Sequence, residues 1–361
     1  MGDAPLSVSA IRPQLALGAM HCQASHGDVE IPRDGADSRR WVWRSTQLEP
    51  GELHVDCTVL DLGNAVLSSA SINRASLHRL RAPAACVSLL LRSRGPGALF
   101  VRSHELTADQ GICVEAGREV ELIAHRDSAC VLISINKAFL MQQVGTVQLT
   151  GSGFRSGFRA IGCSMGECEA LEGHVRSVMR SGSSLHSAVL LQRVGQLAAE
   201  LLFRPMPCPA PRTAASSIAR LERGRRCAAV ELARQYIQEH LTEPMHLADL
   251  CSNTHLQARS LEYGFREVVR LSPMRYVRML RLGEVRRQLS QVPAAPRSIS
   301  EIALDAGFSH LSQFTVDYKK IFGETPSTTR RRALDVDSHR HMRCTGMAHG
   351  ERPDGRPTLQ A

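Results

Sequence analysis

Two short stretches near the carboxyl end carry the residue types that read nucleic acid. Apolar residues recur at three- and four-residue steps, Ala258, Leu261, Phe265 and Val268 in one and Leu311, Phe314, Tyr318 and Ile321 in the other. That spacing predicts helices with one face turned to a core. Left outside are Gln257, Arg259, Ser260, Glu262, Tyr263 and Arg266 in the first, and His310, Ser312, Gln313, Thr315, Lys319 and Lys320 in the second. Arg bonds guanine through two acceptors, Gln bonds adenine through a donor and an acceptor, and Ser or Tyr anchors phosphate oxygens. Ser309 is expected to cap the second helix.

Helices of this kind need a scaffold, and the sequence writes it twice. Leu247, Leu250 and Cys251 recur as Ile299, Ile302 and Ala303 at an offset of 52, while Leu261, Phe265 and Pro273 recur as Phe314, Tyr318 and Pro326 at 53. Each copy lays out a short helix, a tight turn, a second helix of about a dozen residues and a proline, which is helix-turn-helix design. Gly307 supplies the turn of the second copy. Ser272 and Pro273 open a helix running through Val277, Leu280, Leu282 and Val285 to Leu289, closed by Pro293 and Pro296. Ser298 and Glu301 form a capping box. Ahead of both copies, Val230, Ala233, Ile237 and Leu241 mark a further apolar face ended by Pro244.

Charge concentrates in the same region. Residues 225–332 hold 17 Arg and Lys against 11 Asp and Glu, whereas residues 1–224 hold 23 against 20. Of the three lysines in the chain, Lys319 and Lys320 fall on the second reader helix. Such an excess suits phosphate neutralisation that weakens as salt rises. A merely solvated basic face is the competing reading.

The whole chain has 361 residues, 43% apolar and 22% charged, with a net charge of +9. Two or three globular domains are expected. The longest nearly apolar run, Ala84 to Leu91, is too short to span a bilayer, and the first thirty residues carry no readable secretory signal. A cytoplasmic protein without membrane segments is expected. Eleven scattered cysteines, with Cys163 and Cys168 the nearest neighbours, predict neither a disulfide nor a zinc site.

From Glu52 to Lys137 the pattern is that of short strands, at Leu53 to Val59, Ala65 to Ile72, Cys86 to Arg92, Ala98 to His104, Gly111 to Glu115, Val120 to His125 and Cys130 to Asn136. Seven strands at this spacing suggest an antiparallel barrel or sandwich. Cys168 to Phe203 then reads as helix, with Leu171, Val175, Val178, Leu190, Val194, Leu197 and Leu201 on one face. The fold class expected is multidomain α+β. The division is a β-rich 41–137 with a helical appendage 138–203, a Pro- and Ser-rich linker 204–224, an all-α region 225–332 with helix-turn-helix units at 247–268 and 299–322, and a disordered tail 333–361.

The segments "LEYGFREVVRLSPMRYVRMLRL" and "ISEIALDAGFSHLSQFTVDYKKIFGETPS" closely resemble the two helix-turn-helix halves of the AraC/XylS family of bacterial transcription regulators. The resemblance implies a sequence-specific DNA-binding regulator, an activator, working on double-stranded promoter DNA and meeting RNA polymerase. It also implies that the helix from Pro273 to Leu289 is a rigid connector. For the amino-terminal domain it implies a cupin-like β-barrel that binds a small-molecule effector, of unknown identity and contact residues, and supports a homodimer. "RRWVWRSTQLEPGELH" looks like the start of such domains in a subgroup containing amine-catabolism regulators. Two departures lie in the first copy, where His255 stands at the usual turn glycine and Arg270 at the glycine after the reader helix. An arginine in a left-handed conformation costs about 1–2 kcal/mol.

Other signals point elsewhere. The alternative function is an enzyme or metabolite-binding module in the β domain. Gly162-Cys163-Ser164-Met165-Gly166 spells a nucleophile-elbow pattern, but the preceding residues are not expected to form the strand it requires. Gly151-Ser152-Gly153 lacks the spacing of a dinucleotide fingerprint. His78, His104 and His125 stand singly, and His339, His341, Cys344 and His349 cluster in the tail, so no metal and no cofactor is expected. Trp41, Trp43 and Arg44 either line a ligand site or pack at a strand edge.

Overall fold

The computed structural model describes residues 20–25, 40–144, 158–181, 184–203, 214–291 and 297–335. The amino-terminal strands are β1 Met20–Ser25, β2 Val42–Gln47, β3 His54–Asp61, β4 Ala65–Ile72, β5 Ser76–Arg81 and β6 Cys86–Arg92. They continue with β7 Leu99–Val101, β8 His104–Leu106, β9 Gln110–Val114, β10 Glu119–Ala124, β11 Ser128–Asn136 and β12 Phe158–Gly162. Every pairing is antiparallel, in a seven-stranded sheet ordered β1-β3-β4-β11-β6-β9-β12 and a five-stranded sheet ordered β2-β5-β10-β7-β8. Among the described residues no ladder joins one sheet to the other, so the domain is a sandwich of two open sheets and the expected barrel is not closed.

The side chains explain why periodicity undercounted the strands. On β10, Val120, Leu122 and Ala124 point between the sheets while Ile123 points out into a second core. On β11, Cys130 and Leu132 point between the sheets while Val131, Ile133 and Ile135 meet helices. Strands covered on both faces lose clean alternation. β5, with the sequence SLHRLR, was hidden for a related reason: its polar His78 is wholly buried, so it does not mark a wet face. His78 Nδ1 accepts from Trp43 Nε1 at 2.8 Å and from Ser45 Oγ at 2.8 Å, and its Nε2 donates to Ser76 Oγ at 2.8 Å. Burial lowers its pKa to about 3, so it stays neutral.

Helices α1 Lys137–Val144, α2 Met165–Ser181 and α3 Ser184–Phe203 cover the outer face of the seven-stranded sheet, with Leu171, Val175, Leu190, Val194 and Leu201 buried there. The other face of the sandwich carries a helical region: α4 Ala214–Glu239, α5 Leu247–Thr254, α6 Ala258–Val268, α7 Pro273–Leu289, α8 Ile299–Asp305 and α9 Leu311–Phe322. Leu48, Leu77, Phe100 and Ile123 of the sheets share one core with Val230, Phe265, Tyr276, Phe314 and Tyr318 of these helices. The molecule is thus layered helix, sheet, sheet, helix.

Part of the expected linker is ordered differently from its composition. Residues 204–213 lie outside the described residues, but 214–224 are the first turns of α4, helical despite their Ser and Arg content. Tertiary packing of the later turns, with Val230, Ala233 and Ile237 buried, propagates the helix backwards. The tail beyond residue 335, and Pro293 and Pro296, also lie outside the described residues.

Candidate nucleic-acid interface

The carboxyl-terminal helices begin and end where the local chemistry asks. Glu301 N donates to Ser298 Oγ at 3.1 Å and Ser298 N donates to Glu301 Oε2 at 2.7 Å, closing the capping box ahead of α8. His246 N donates to Asp249 Oδ2 at 2.7 Å ahead of α5. Ser272 is the N-cap of α7 with Pro273 at its first turn. At 1.5 Å per residue, this 17-residue connector is about 25 Å long.

One guanidinium locks the two copies to each other. From α7, Arg281 donates to Leu241 O at 2.8 Å and Glu243 O at 2.5 Å ahead of the first copy, and to Gly307 O at 2.8 Å in the turn of the second. Gly307 has φ +87°, which favours glycine, and its bare backbone leaves room for the guanidinium, since a Cβ there would stand 2.8 Å from Arg281 Cζ. Sequence reading passed over Arg281 because periodicity places it on a helix flank and nothing local betrays three distant carbonyls.

Helices α6 and α9 expose nearly the set expected. On α6 and its cap, Gln257, Arg259, Tyr263 and Arg266 are exposed, and Ser260 and Glu262 are half-buried. On α9 and its cap, Ser309, His310, Ser312, Gln313, Thr315, Lys319 and Lys320 are all exposed. Three details differ. Ala258 is exposed rather than core-facing, because it begins α6, and Gly264 is buried in its stead. A Cβ on Gly264 would lie 2.8 Å from Val230 Cγ2, so its bare backbone lets α6 close on α4. The N-cap of α9 is His310, not Ser309, and it makes no side-chain cap bond.

Carrying the 53-residue offset across the two helices pairs Arg259 with Ser312, Tyr263 with Val316 and Arg266 with Lys319, all at the centre of the wet face. Tyr263 is 61% and Val316 60% exposed, uncommon for such large side chains. Val316 is not among the polar positions that mark a groove-facing side in the sequence; its place on the helical wheel, opposite Phe314 and Ile321, is the signal that marks it. An apolar group there suits a thymine methyl.

Some of these side chains have internal partners. Gln313 Nε2 donates to Asp317 Oδ1 at 3.1 Å, Thr315 Oγ1 donates to Leu311 O at 3.0 Å, and Arg266 pairs with Glu262 at 3.9 Å. Arg278 of α7 pairs with Asp317, tying α9 to α7. The Arg226 guanidinium sits 5.0 Å over the Tyr263 ring.

The sandwich grips both copies from behind. Arg234 of α4, wholly buried, donates to Tyr276 Oη at 3.2 Å, to Arg102 O at 3.3 Å and to Glu231 at 3.2 Å, and pairs with Glu121 of β10. Burial opposes its charge, but Tyr276, Glu121 and Glu231 hold its pKa above the usual guanidinium range. His125 Nε2 donates to Val268 O at 2.9 Å at the end of α6. Burial, opposed by that hydrogen bond, lowers the His125 pKa. Gln47 Nε2 donates to Ile321 O at 3.1 Å in α9.

The remaining motifs resolve into structure. A strand, β12, does lead into Ser164, contrary to the sequence expectation, but it is an antiparallel edge strand. Ser164 Oγ donates to Glu167 Oε2 at 2.9 Å and accepts from Glu167 N at 3.3 Å, which makes it the cap of α2. Trp41 and Trp43 are buried between the sheets and Arg44 is exposed. His104 is exposed. Among the described residues no three His, Cys, Asp or Glu gather to hold a metal, and no helix is long and apolar enough to cross a membrane. The tail histidines and Gly151-Ser152-Gly153 lie outside the described residues. Cys163 and Cys168 place their sulfurs 3.5 Å apart as thiols.

Residues 250–332 match the protein family described as a helix-turn-helix domain. The chain is 33% identical over 102 residues to the probable thc operon regulatory protein of Rhodococcus erythropolis, and 36% identical over 106 residues to XylDLEGF operon transcriptional activator 3 of Pseudomonas putida. These matches cover 28% and 29% of this chain and 31% and 32% of those relatives. A solved structure of a probable AraC family transcriptional regulator from Rhodopseudomonas palustris is 33% identical, with 29% of this chain and 97% of that one covered and a TM-score of 0.28. With the duplicated unit, the matched helix-turn-helix domain and the likeness to these two regulators together, the chain belongs to the AraC/XylS family of transcription regulators.

Proposed function

We propose that the protein is a sequence-specific regulator, an activator, that binds double-stranded promoter DNA through α6 and α9. The observation that carries this reading is the repeated wet face. Arg259, Tyr263 and Arg266 on one helix and Ser312, Val316 and Lys319 on the other occupy equivalent positions, and all but Ser312 bring a cation or a large contact surface. A connector of about 25 Å suits two readers in neighbouring major-groove segments, about one DNA turn apart. Gln257, Ser260, His310, Gln313 and Thr315 supply further base or phosphate contacts, and Ser309 and Lys320 flank them.

The domains we assign are 1–203 for effector binding and dimerisation, 204–213 as linker in place of the expected 204–224, 214–332 with α4 for DNA and 333–361 as tail. Two sheets around a common core support a cupin-like reading of the first. A small-molecule effector, a homodimer, contact with RNA polymerase and a cytoplasmic location complete the proposal, with no catalytic step assigned. Effector control requires that the ligand bind one arrangement of sandwich and readers better than another. The test is an electrophoretic titration of the full chain on DNA upstream of its own gene, at stepped salt and against scrambled competitor. A sequence preference of at least a thousandfold and affinity falling with salt are expected. Affinity indifferent to both overturns the reading.

A further inference from the structure

A cleft of about 490 Å³ opens between the sandwich and the end of the first reader helix. That volume lies within the range of small-molecule sites. Its helical side is built from Val269, Arg270, Leu271 and Arg275, and its sandwich side includes Glu49 and His125. We propose that this cleft binds a small amphipathic organic anion, with Arg270 and Arg275 taking its charge and Val269 and Leu271 its apolar body. The inference deepens the effector reading above and rests on it.

Three observations lead there. The cleft's carboxylate is already engaged, since Glu49 pairs with Arg74 at 3.5 Å and with Arg126, whereas neither Arg270 nor Arg275 forms an ion pair among the described residues. Two guanidiniums beside an apolar wall make the remaining charge positive, and a carboxylate matches their fork. Arg270 also holds φ at 64° where the second copy has Gly323 at φ 73°. The turn imposes that conformation in both copies, and in the first it carries an arginine that lines the cleft. Finally, the site ends on the reader, because Val268 O, immediately before Val269, accepts the His125 hydrogen bond. A ligand drawing Arg270 and Arg275 towards Glu49 and His125 would bear directly on how α6 is held.

The experiment titrates the full chain with 2-naphthoate, followed by its own fluorescence, and with neutral 2-naphthamide. We expect saturable binding of 2-naphthoate, weakened about tenfold or more by Arg270→Gly and by Arg275→Gln, and little binding of the amide. Arg270→Gly relieves the left-handed strain, so its urea midpoint should rise while anion affinity falls, an opposition that loss of folding does not produce. On promoter DNA, 2-naphthoate should change the affinity of the parent chain and not that of the variants. Equal binding of acid and amide, affinity unmoved by both substitutions, or no binding at millimolar 2-naphthoate overturns the proposal. If the variants instead lose DNA affinity and flatten the salt slope with anion binding unchanged, these arginines serve phosphates and the cleft proposal falls while the DNA reading stands. Absence of any salt-dependent DNA binding by the parent chain sinks the functional reading itself.

Discussion

The two helix-turn-helix copies share a backbone and differ in what holds it. His255 at φ 54° and Arg270 at φ 64° occupy the left-handed positions that Gly307 at φ 87° and Gly323 at φ 73° take in the second copy. The chain path is therefore set by the design rather than by glycine, and the first copy spends conformational energy to put side chains at its corners. The first copy is also clamped. Gly264 lets α6 close on α4, Glu267 pairs with Arg223 at 2.6 Å and Arg226 at 3.7 Å, and Arg234 fixes α4 and α7 to β10. At the equivalent of Glu267 the second copy has Lys320, beside a smaller cleft with Gly51 and Glu52, and its ties to the sandwich are Gln47 and Gly51 to Ile321 O. The duplicated unit thus has one copy closed on α4 and one joined to the sandwich at Ile321.

Cutting the tethers exposes this asymmetry most strongly. Arg234→Ala leaves Glu121 and Glu231 facing a buried gap and should cost about 3–5 kcal/mol in urea unfolding. Gln47→Ala removes neutral hydrogen bonds only, to Ile321 O in the second copy and to Glu49 O and Gly51 O in its own loop, and should cost about 1–2 kcal/mol. Equal losses would erase the distinction. At the readers, Arg259→Ala and Gln313→Ala should each relax base preference by about 1–3 kcal/mol at one position, in different halves of the operator, read by competition with single-base variants. A shared position for both would mean the copies do not read separate segments.

The corner residues give a smaller, reciprocal effect. Arg270→Gly should stabilise the chain by about 1–2 kcal/mol, and Gly323→Ala should destabilise it by about 1 kcal/mol, seen as opposite shifts of the unfolding midpoint. Shifts of the same sign would show that φ is not what limits these positions. The least change is expected for Lys320→Ala, which should weaken all DNA sequences alike and lower the salt slope by about one. An unchanged slope would assign Lys320 to the cleft with Glu52 instead.

Much of the carboxyl-terminal third was legible in the sequence because its signals are local. The capping box at Ser298 and Glu301, the Ser272-Pro273 start and the three- and four-residue steps place α7 and α9 within a residue of their observed limits. What escaped depends on distant partners. Arg281 reaches carbonyls 26 to 40 residues away, and Gly264 is defined by Val230 of another helix. Val316 escaped because polarity was taken as the mark of a reader, although its wheel position was available. In the sandwich, strands buried on both faces gave no alternation to count, and β5 hid behind a buried histidine.

The central claim is that α6 and α9 enter neighbouring major-groove segments of one duplex. Major-groove methylation interference on a bound promoter fragment tests it most directly, using the parent chain, Arg259→Ala and Gln313→Ala. The account predicts two patches of interference about one helical turn apart, one fading with Arg259→Ala and the other with Gln313→Ala. A single patch, or one that both substitutions dim together, would contradict it.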